Sequence, residues 1–252
     1  MFVFDGDDAE MLAANEKARA TFRYFWRELA WEYRRIVPAL DMACVKAAFS
    51  DGTHGRQPGK PEIEHMWIRD VVFDGKLIHG VLINSPNWLK SVKAGDPVSV
   101  SLADVGDWIY VFCGVVCGAF TVNVIRARMG PTERKEHDKA WGLDFGDPET
   151  PRIFPDQEDG SEEIGEHPMS ENMGPALKKQ LEERPEMLHH KDANGWTLLH
   201  HSALAGSQSS VRALLDAGAD PKAVTGNGMT ALQLAESLDW QDVVKLLNGE
   251  RR

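Results

Sequence analysis

The sequence is poor in cysteine, has no long apolar stretch and carries no basic region. Three cysteines among 252 residues are few and odd in number, which argues against a disulfide framework and favours a reduced, cytoplasmic chain. No uninterrupted apolar run approaches the roughly twenty residues that a membrane-spanning helix needs. The residues after Met1 include acids where a signal peptide would be basic, so we expect a protein that is not exported.

The negative charge is concentrated in one segment. The net charge is −11, and residues 144–171 hold ten acidic residues against a single base, Arg152. Because this segment also has several prolines and few large apolar side chains, we predict an acidic linker over 144–171. It separates an N-terminal domain (1–143) from a C-terminal domain (172–252). The remaining chain has no basic stripe to neutralise phosphates, so we expect neither nucleic acid nor an anionic membrane as a ligand.

The N-terminal domain is predicted to be α+β. Apolar residues recurring every three or four positions predict a long helix that ends before Pro38. Strand patterns follow at Met42 to Phe49, His65 to Phe73, Lys76 to Asn84, Val98 to Leu102, Trp108 to Val116 and Phe120 to Ile125. Asp74-Gly75 predicts a type I′ hairpin turn, and residues 86–92 and 130–142 are predicted helices. Hairpin-linked strands indicate an antiparallel sheet covered by the long N-terminal helix.

The C-terminal domain contains a repeat of 33 residues. Residues 194–200 (Asn-Gly-Trp-Thr-Leu-Leu-His) align with residues 227–233 (Asn-Gly-Met-Thr-Ala-Leu-Gln). The pattern resembles ankyrin repeats, which implies an all-α domain of two repeats preceded by a degenerate cap at Leu181. In that pattern the Thr caps the first helix and the His bonds to loop backbone. Gln233 replaces the His in the second repeat.

The N-terminal domain carries a series of short motifs. In chain order they are Val45-Lys46-x-x-Phe49, Glu64-His65-Met66-Trp67, Gly80-x-Leu82-x-Asn84-x-Pro86, Gly95-Asp96-x-Val98, Asp107-Trp108-x-Tyr110 and Gly118-x-Phe120-Thr121. Their order and spacing resemble the bacterial domain of unknown function 2314 family over about residues 10–145. That resemblance implies a family and no established activity or cofactor.

Two groups of residues are candidates for chemistry. Polar residues that could surround a cleft in the N-terminal domain are His65, Asn84, Asp96, Asp107 and Tyr110, with Glu64, His54 and His79 nearby in sequence. The alternative interpretation, which we favour, is that such residues bond to turns and fix the fold. His189, His190, His200 and His201 lack a Cys or Glu that would complete a zinc site, so no metal or cofactor is expected.

The cysteines favour a structural interpretation. Cys113 and Cys117 are predicted to lie on one face of one strand, roughly 13 Å apart, which is too far to share a metal. We therefore expect small buried thiols.

The sequence favours a protein that binds another protein and catalyses nothing. Ankyrin arrays expose a concave surface of loops and inner helices, and no nucleophile motif is present. The predicted contact residues are Asp192, Asn194, Trp196, His201, Leu204, Thr225, Asn227 and Met229. The alternative is a small-ligand-binding or hydrolytic enzyme that uses the cleft in the N-terminal domain.

Overall fold

The computed structural model describes residues 8–52, 62–157 and 165–249, and the chain divides into two compact units. The first unit comprises Met1–Phe25 and Arg35–Ser161, and the second comprises Trp26–Arg34 and Glu162–Arg252. Helix α1 (Ala9–Glu32) therefore contributes residues to both. Among the described residues, no helix is both long and apolar enough to cross a bilayer.

The first unit is built on a six-stranded antiparallel sheet. Its strands are β1 (Leu40–Phe49), β2 (Glu64–Phe73), β3 (Leu77–Leu82), β4 (Pro97–Ser101), β5 (Val105–Phe112) and β6 (Val115–Gly118). They lie in the order β4-β3-β2-β1-β5-β6. Buried residues alternate with less buried ones along most of β2, as expected for a strand whose two faces meet different environments.

One face of the sheet packs against α1. Phe22 and Phe25 are fully buried, and the ring of Phe25 lies 5.8 Å from that of Trp108. The indole Nε1 of Trp108 donates to the carbonyl of Ala18 (3.0 Å) and to the hydroxyl of Thr21 (3.2 Å). The predicted antiparallel sheet covered by the N-terminal helix is therefore confirmed.

The opposite face of β1, β5 and β6 has its own apolar cluster. Its buried members are Cys44, Ile109, Val111, Val116, Ala119 and Phe145. Helices α2 (Phe120–Ala127) and α3 (Pro131–Trp141) follow β6 in the chain, and α3 agrees with the helix predicted over 130–142. Arg126 of α2 is buried and bonds the carboxylate of Asp138 on α3 through Nε (2.8 Å) and Nη2 (2.7 Å).

The strand predicted from Phe120 to Ile125 is wrong, because these residues form α2. Ala119 has φ of +55°, which ends β6, and the amides of Phe120 and Thr121 donate to the carboxylate of Asp107. Side-chain acceptors at a helix N-terminus satisfy amides that have no partner within the helix. These hydrogen bonds outweigh the low helix propensity of Val122, Val124 and Ile125. A β-branched residue in a helix costs only a few tenths of a kcal/mol, about 0.5, relative to alanine.

Two tight turns differ from prediction. Gly75 has φ of +90° but Asp74 does not have positive φ, so the predicted type I′ turn on Asp74-Gly75 is wrong. The Asp74 carboxylate instead accepts from the amides of Lys76 (2.8 Å) and Leu77 (2.7 Å). Positive φ at two successive residues occurs at Cys113 (+49°) and Gly114 (+78°), which join β5 to β6.

Residues 86–92 form a loop and not the predicted helix. Their amides are taken by carboxylates from elsewhere in the unit. Glu64 accepts from the amide of Asn87 (2.6 Å), and Asp51 accepts from the amides of Lys90 (2.8 Å) and Ser91 (3.1 Å). Side-chain acceptors that bind loop amides compete with helix formation.

The ends of the predicted acidic linker belong to the two units. Phe145 is 1% exposed and Ile153 is 8% exposed, and the carbonyl of Ile153 accepts from the Tyr110 hydroxyl (2.9 Å). In the second unit, Glu166 accepts from the amide (2.6 Å) and hydroxyl (2.7 Å) of Ser209. The linker boundaries predicted at 144 and 171 therefore need correction, because a few apolar and charged anchors hold both flanks. Residues 158–164, the centre of that prediction, lie outside the described residues.

The second unit continues as a helical array. Its helices are α4 (Pro168–Glu183), α5 (Leu198–Leu204), α6 (Gln208–Asp216), α7 (Ala231–Ser237) and α8 (Gln241–Leu247), with a 3₁₀ turn at Pro185–Leu188. Leu181 of α4, the residue expected to mark the cap, joins a core with Leu199, Val211 and Leu214. Each repeat is thus a helix pair that buries its apolar face against the next pair.

Candidate functional site

Two loops precede the helix pairs of the array, at residues 192–196 and 225–229. In the first loop, Oδ1 of Asp192 accepts from the amides of Asn194 and Trp196, both at 2.9 Å. Oδ2 of the same carboxylate lies 2.9 Å from Nε2 of His201. These hydrogen bonds lower the pKa of Asp192 against the opposing effect of burial. The first loop is thus fixed by one ionised carboxylate.

The second loop is held by a hydroxyl and is joined to the first. Oγ1 of Thr225 accepts from the amide of Met229 (3.0 Å). The amide of Gly226 donates to the carbonyl of Asn194 (2.8 Å). A Cβ on Gly226 would lie 2.6 Å from that carbonyl oxygen, so only glycine permits this close approach. The two loops therefore form one continuous ridge, which we call the loop ridge (residues 192–194 and 226–228).

The predicted contact residues fall into two classes. Asp192, Asn194 and Asn227 are exposed, and His201 is half-buried. The other four are buried and correct the prediction: Trp196 (9% exposed), Leu204 (1%), Thr225 (4%) and Met229 (7%). Their side chains support the loops and helices. Trp196, for example, packs its ring 5.1 Å from that of His201.

His200 has the structural role that the repeat pattern implies. Its Nδ1 accepts from the amide of Thr197 (3.0 Å), and its Nε2 lies 2.9 Å from the carbonyl of Ala223. This arrangement requires a neutral ring with the proton on Nε2. Burial lowers the pKa of His200, and burial also lowers the pKa of His201 despite the neighbouring Asp192. In the second repeat, Oε1 of Gln233 accepts from the amide of Thr230 (2.9 Å) in the same way.

Acidification is expected to destabilise the second unit before its carboxylates are protonated. The pKa of His200 in the folded protein lies below the ordinary value of 6.5, so the folded state binds fewer protons than the unfolded state. The contribution of His200 to the free energy of unfolding is therefore present above pH 6.5 and is lost as the pH falls below 6.5. We expect the midpoint temperature of thermal unfolding, measured by circular dichroism, to decrease as the pH is lowered from about 7.5 to about 5.5. His200→Gln copies Gln233 and should reduce this dependence; an unchanged dependence would contradict the assignment.

A buried polar cluster lies on the sheet face of the first unit that is opposite α1. Asp107 is fully buried, and its carboxylate accepts from the amides of Trp108 (2.9 Å), Phe120 (3.0 Å) and Thr121 (2.9 Å) and from the Thr121 hydroxyl. Nζ of Lys46, on the adjacent strand, donates to that hydroxyl and lies 3.9 Å from Oδ2 of Asp107. Four donors suit an ionised carboxylate beside an ammonium group.

Charges and burial oppose each other in this cluster. Burial raises the pKa of Asp107, while Lys46 and the hydrogen bonds from Thr121 lower it. Burial lowers the pKa of Lys46, and Asp107 opposes that shift. Desolvation of the imidazole and the positive charge of Lys46 lower the pKa of His65 on β2. The ammonium of Lys46 also lies 5.3 Å from the centre of the Trp67 ring.

Two of the five predicted cleft residues lie beside Lys46. His65 and Asp107 both flank Lys46, as described above. Asn84 accepts from the amide of Trp67 (3.2 Å), and Asp96 accepts from the amide of Lys93 (3.0 Å). Tyr110 lies in the core with its hydroxyl on Ile153. These three residues therefore bond to loop or strand backbone or pack in the core. Lys46 was missed, although a lysine between Val45 and two alanines in a strand is a detectable signal.

The remaining candidates are dispersed. His79 bonds Ser99 (2.8 Å) and Asp74 (3.2 Å), His189 and His190 are exposed, and His54 lies outside the described residues. Cys113 is exposed in the turn after β5, while Cys117 is buried in β6, so the prediction that both lie buried on one strand is wrong. Within residues 8–52, 62–157 and 165–249, no group of three metal-ligating side chains is present.

The end of α1 is tied to the start of the array within the second unit. Nη1 of Arg27 donates to the carbonyl of Gly165 (2.9 Å), and Oε2 of Glu28 lies 3.1 Å from Nε2 of His167. The His167 ring stacks on Trp31 at 5.5 Å, and its Nδ1 caps α4 by accepting from the amide of Met169 (3.0 Å). A contact of this kind has no short-range sequence signal.

Comparison with known proteins identifies both parts. A bacterial family described as uncharacterised proteins conserved in bacteria (DUF2314) matches residues 8–145, and a profile of three ankyrin repeats matches residues 169–251. A Neisseria meningitidis serogroup B protein named for its ankyrin repeats is 45% identical over 242 residues, covering 95% of this chain and 93% of the relative. The uncharacterised Escherichia coli K12 protein YegJ is 30% identical over 83 residues, covering 33% of this chain and 49% of that protein.

Proposed function

Because the chain belongs to the DUF2314 family and carries ankyrin repeats after that domain, we propose that it is a non-catalytic protein that binds another protein through its loop ridge. The observation that carries the proposal is the construction of that ridge. Exposed side chains of Asp192, Asn194 and Asn227 project from backbone that Asp192, Thr225 and Gly226 hold in one conformation. A pre-ordered surface lowers the entropic cost of association.

The ridge is favoured over the inner helices as the contact surface. The inner-helix residue Leu204 is buried, and the end of α1 belongs to the same unit. His201, the other predicted contact on an inner helix, is half-buried, and its Nε2 lies 2.9 Å from Oδ2 of Asp192. A partner would therefore reach the loops more easily than the helices behind them.

Charge substitution on the ridge tests the proposal. Ala193→Arg with Asn194→Arg places two cations on exposed positions whose side chains make no hydrogen bond in the described structure. We expect affinity for the partner captured from native extract to fall at least about tenfold, because unmatched charge at an interface opposes binding.

The control carries the same two substitution types on α4. Ala176→Arg with Asn172→Arg changes two exposed positions of the same unit and adds the same charge. The control variant and the wild-type protein should capture equal amounts of the partner, as measured by quantitative mass spectrometry. Equal recovery with the ridge variant would reject the ridge as the site, provided that circular dichroism shows both variants folded.

A further inference from the structure

The cluster around Lys46 has hydrogen-bonding capacity that the protein does not use. An ammonium group has three N–H donors, and within the described residues Lys46 has one acceptor, the Thr121 hydroxyl. Asp107 is its counter-charge at 3.9 Å, beyond hydrogen-bond distance, and that carboxylate is occupied by four other donors. Lys46 therefore keeps donors available although most of its side chain is buried.

His65 offers a second donor beside Lys46. It is exposed, and neither ring nitrogen makes a hydrogen bond to any residue the structure describes. The His65 ring lies beside Gly106. A Cβ on Gly106 would lie 3.0 Å from Nδ1 of His65, so the absence of a side chain at Gly106 leaves room for the ring. β-Strand pairing puts His65 opposite Ala48 and Lys46 opposite Trp67, so the two side chains are diagonal neighbours on one face.

The surroundings keep the ammonium in place and within reach of solvent. Nζ of Lys46 lies 5.3 Å from the centre of the Trp67 ring, in a cation–π contact. The Lys46 side chain is 17% exposed, whereas the Asp107 side chain is 0% exposed. A ligand could reach Lys46 and His65 but not Asp107. Two neighbouring nitrogen donors match the oxygens of a carboxylate or phosphate.

We propose that Lys46 and His65 form a binding site for a small oxyanion, of the carboxylate or phosphate class, on the outer sheet face of the first unit. The Lys46 ammonium supplies charge and N–H donors, and the His65 imidazole supplies a second donor. Asp107 and Thr121 position the lysine and do not touch the ligand. The proposal concerns the first unit alone and does not depend on the loop ridge.

The test follows the histidine ring resonances of the full-length chain by NMR. Sodium phosphate and sodium acetate are titrated separately at constant pH and ionic strength, with sodium chloride as the reference salt. We expect a saturable shift at His65 with one or both oxyanions, and saturation by phosphate alone would assign the phosphate class. His79, which lies on β3 with both ring nitrogens bonded, is the internal control and should show no saturable shift.

Variants separate binding from general salt effects. Lys46→Met should weaken the His65 response at least about tenfold, because a charge-assisted hydrogen bond is lost. Lys46→Arg keeps the charge and should retain the response, and Lys76→Met is the matched control at an exposed lysine. If Lys46→Met does not fold, the wild-type titration decides by itself. Absence of saturation at His65 with both oxyanions, or an equal response to chloride, would overturn the proposal.

Discussion

Replacing Asp107 with asparagine is expected to lower the free energy of unfolding of the first unit by about 3–5 kcal/mol, because the change removes one partner of a buried ion pair. The substitution also replaces one carboxylate oxygen with an N–H₂ group, which cannot accept. Either the amides of Trp108 and Phe120 on Oδ1, or the amide and hydroxyl of Thr121 on Oδ2, then lack an acceptor. Loss of the first-turn acceptor should weaken α2 first. Denaturant unfolding followed by circular dichroism measures the effect.

Asp104→Asn is the matched control. Asp104 is exposed and accepts from the amide (3.2 Å) and hydroxyl (2.7 Å) of Ser101, so its loss should cost less than about 1 kcal/mol. Adding Lys46→Met to Asp107→Asn should recover part of the lost stability, since an uncompensated buried charge is removed. A cost for Asp107→Asn as small as that of Asp104→Asn would contradict the role of Asp107.

Gly118→Ala is the second large expected effect, at about 3 kcal/mol or more when backbone strain and steric overlap are combined. Gly118 has φ of +77°, and a Cβ there would lie 2.3 Å from both the carbonyl oxygen and Cε3 of Trp108. Trp108 is itself fully buried between α1 and the sheet, so neither group can move away. Thermal and denaturant unfolding should both report the loss.

Gly114→Ala isolates the contribution of backbone strain. Gly114 has nearly the same φ, +78°, but no atom lies within 4 Å of the position its Cβ would occupy. We expect a cost of about 1 kcal/mol from the left-handed conformation alone. Equal costs for the two variants would mean that the contact with Trp108 does not limit position 118.

The parts of the fold that depend on local pattern could be predicted from the sequence. The 33-residue period predicts the helix pairs because each repeat folds against its neighbour. Short apolar segments bounded by turn residues predict the strands β1 to β5. Helix α2 could not be predicted in this way, since its first turn is stabilised by Asp107, 13 residues earlier. The same holds for the flanks of the acidic segment, where Phe145 and Ile153 supply the packing.

The candidate sites were predictable only in part for a related reason. Residue type and repeat position predicted eight contact residues in and around the two loops, but four of these eight are buried. Whether a loop side chain points outward depends on hydrogen bonds such as those of Asp192 and Thr225, which the repeat pattern does not encode. Lys46 was overlooked because a lysine in a strand is usually solvated, and its burial follows from β5 and α2 together.

Site-specific photo-crosslinking in native cells tests the central claim, that the loop ridge binds a protein partner, most directly. A photoreactive residue is placed at Asn194 or Asn227 on the ridge, and at Asn172 on α4 as the control. We predict one discrete adduct of the same mass increment from both ridge positions and none from the control. No adduct from either ridge position, or an equal yield from Asn172, would contradict the account.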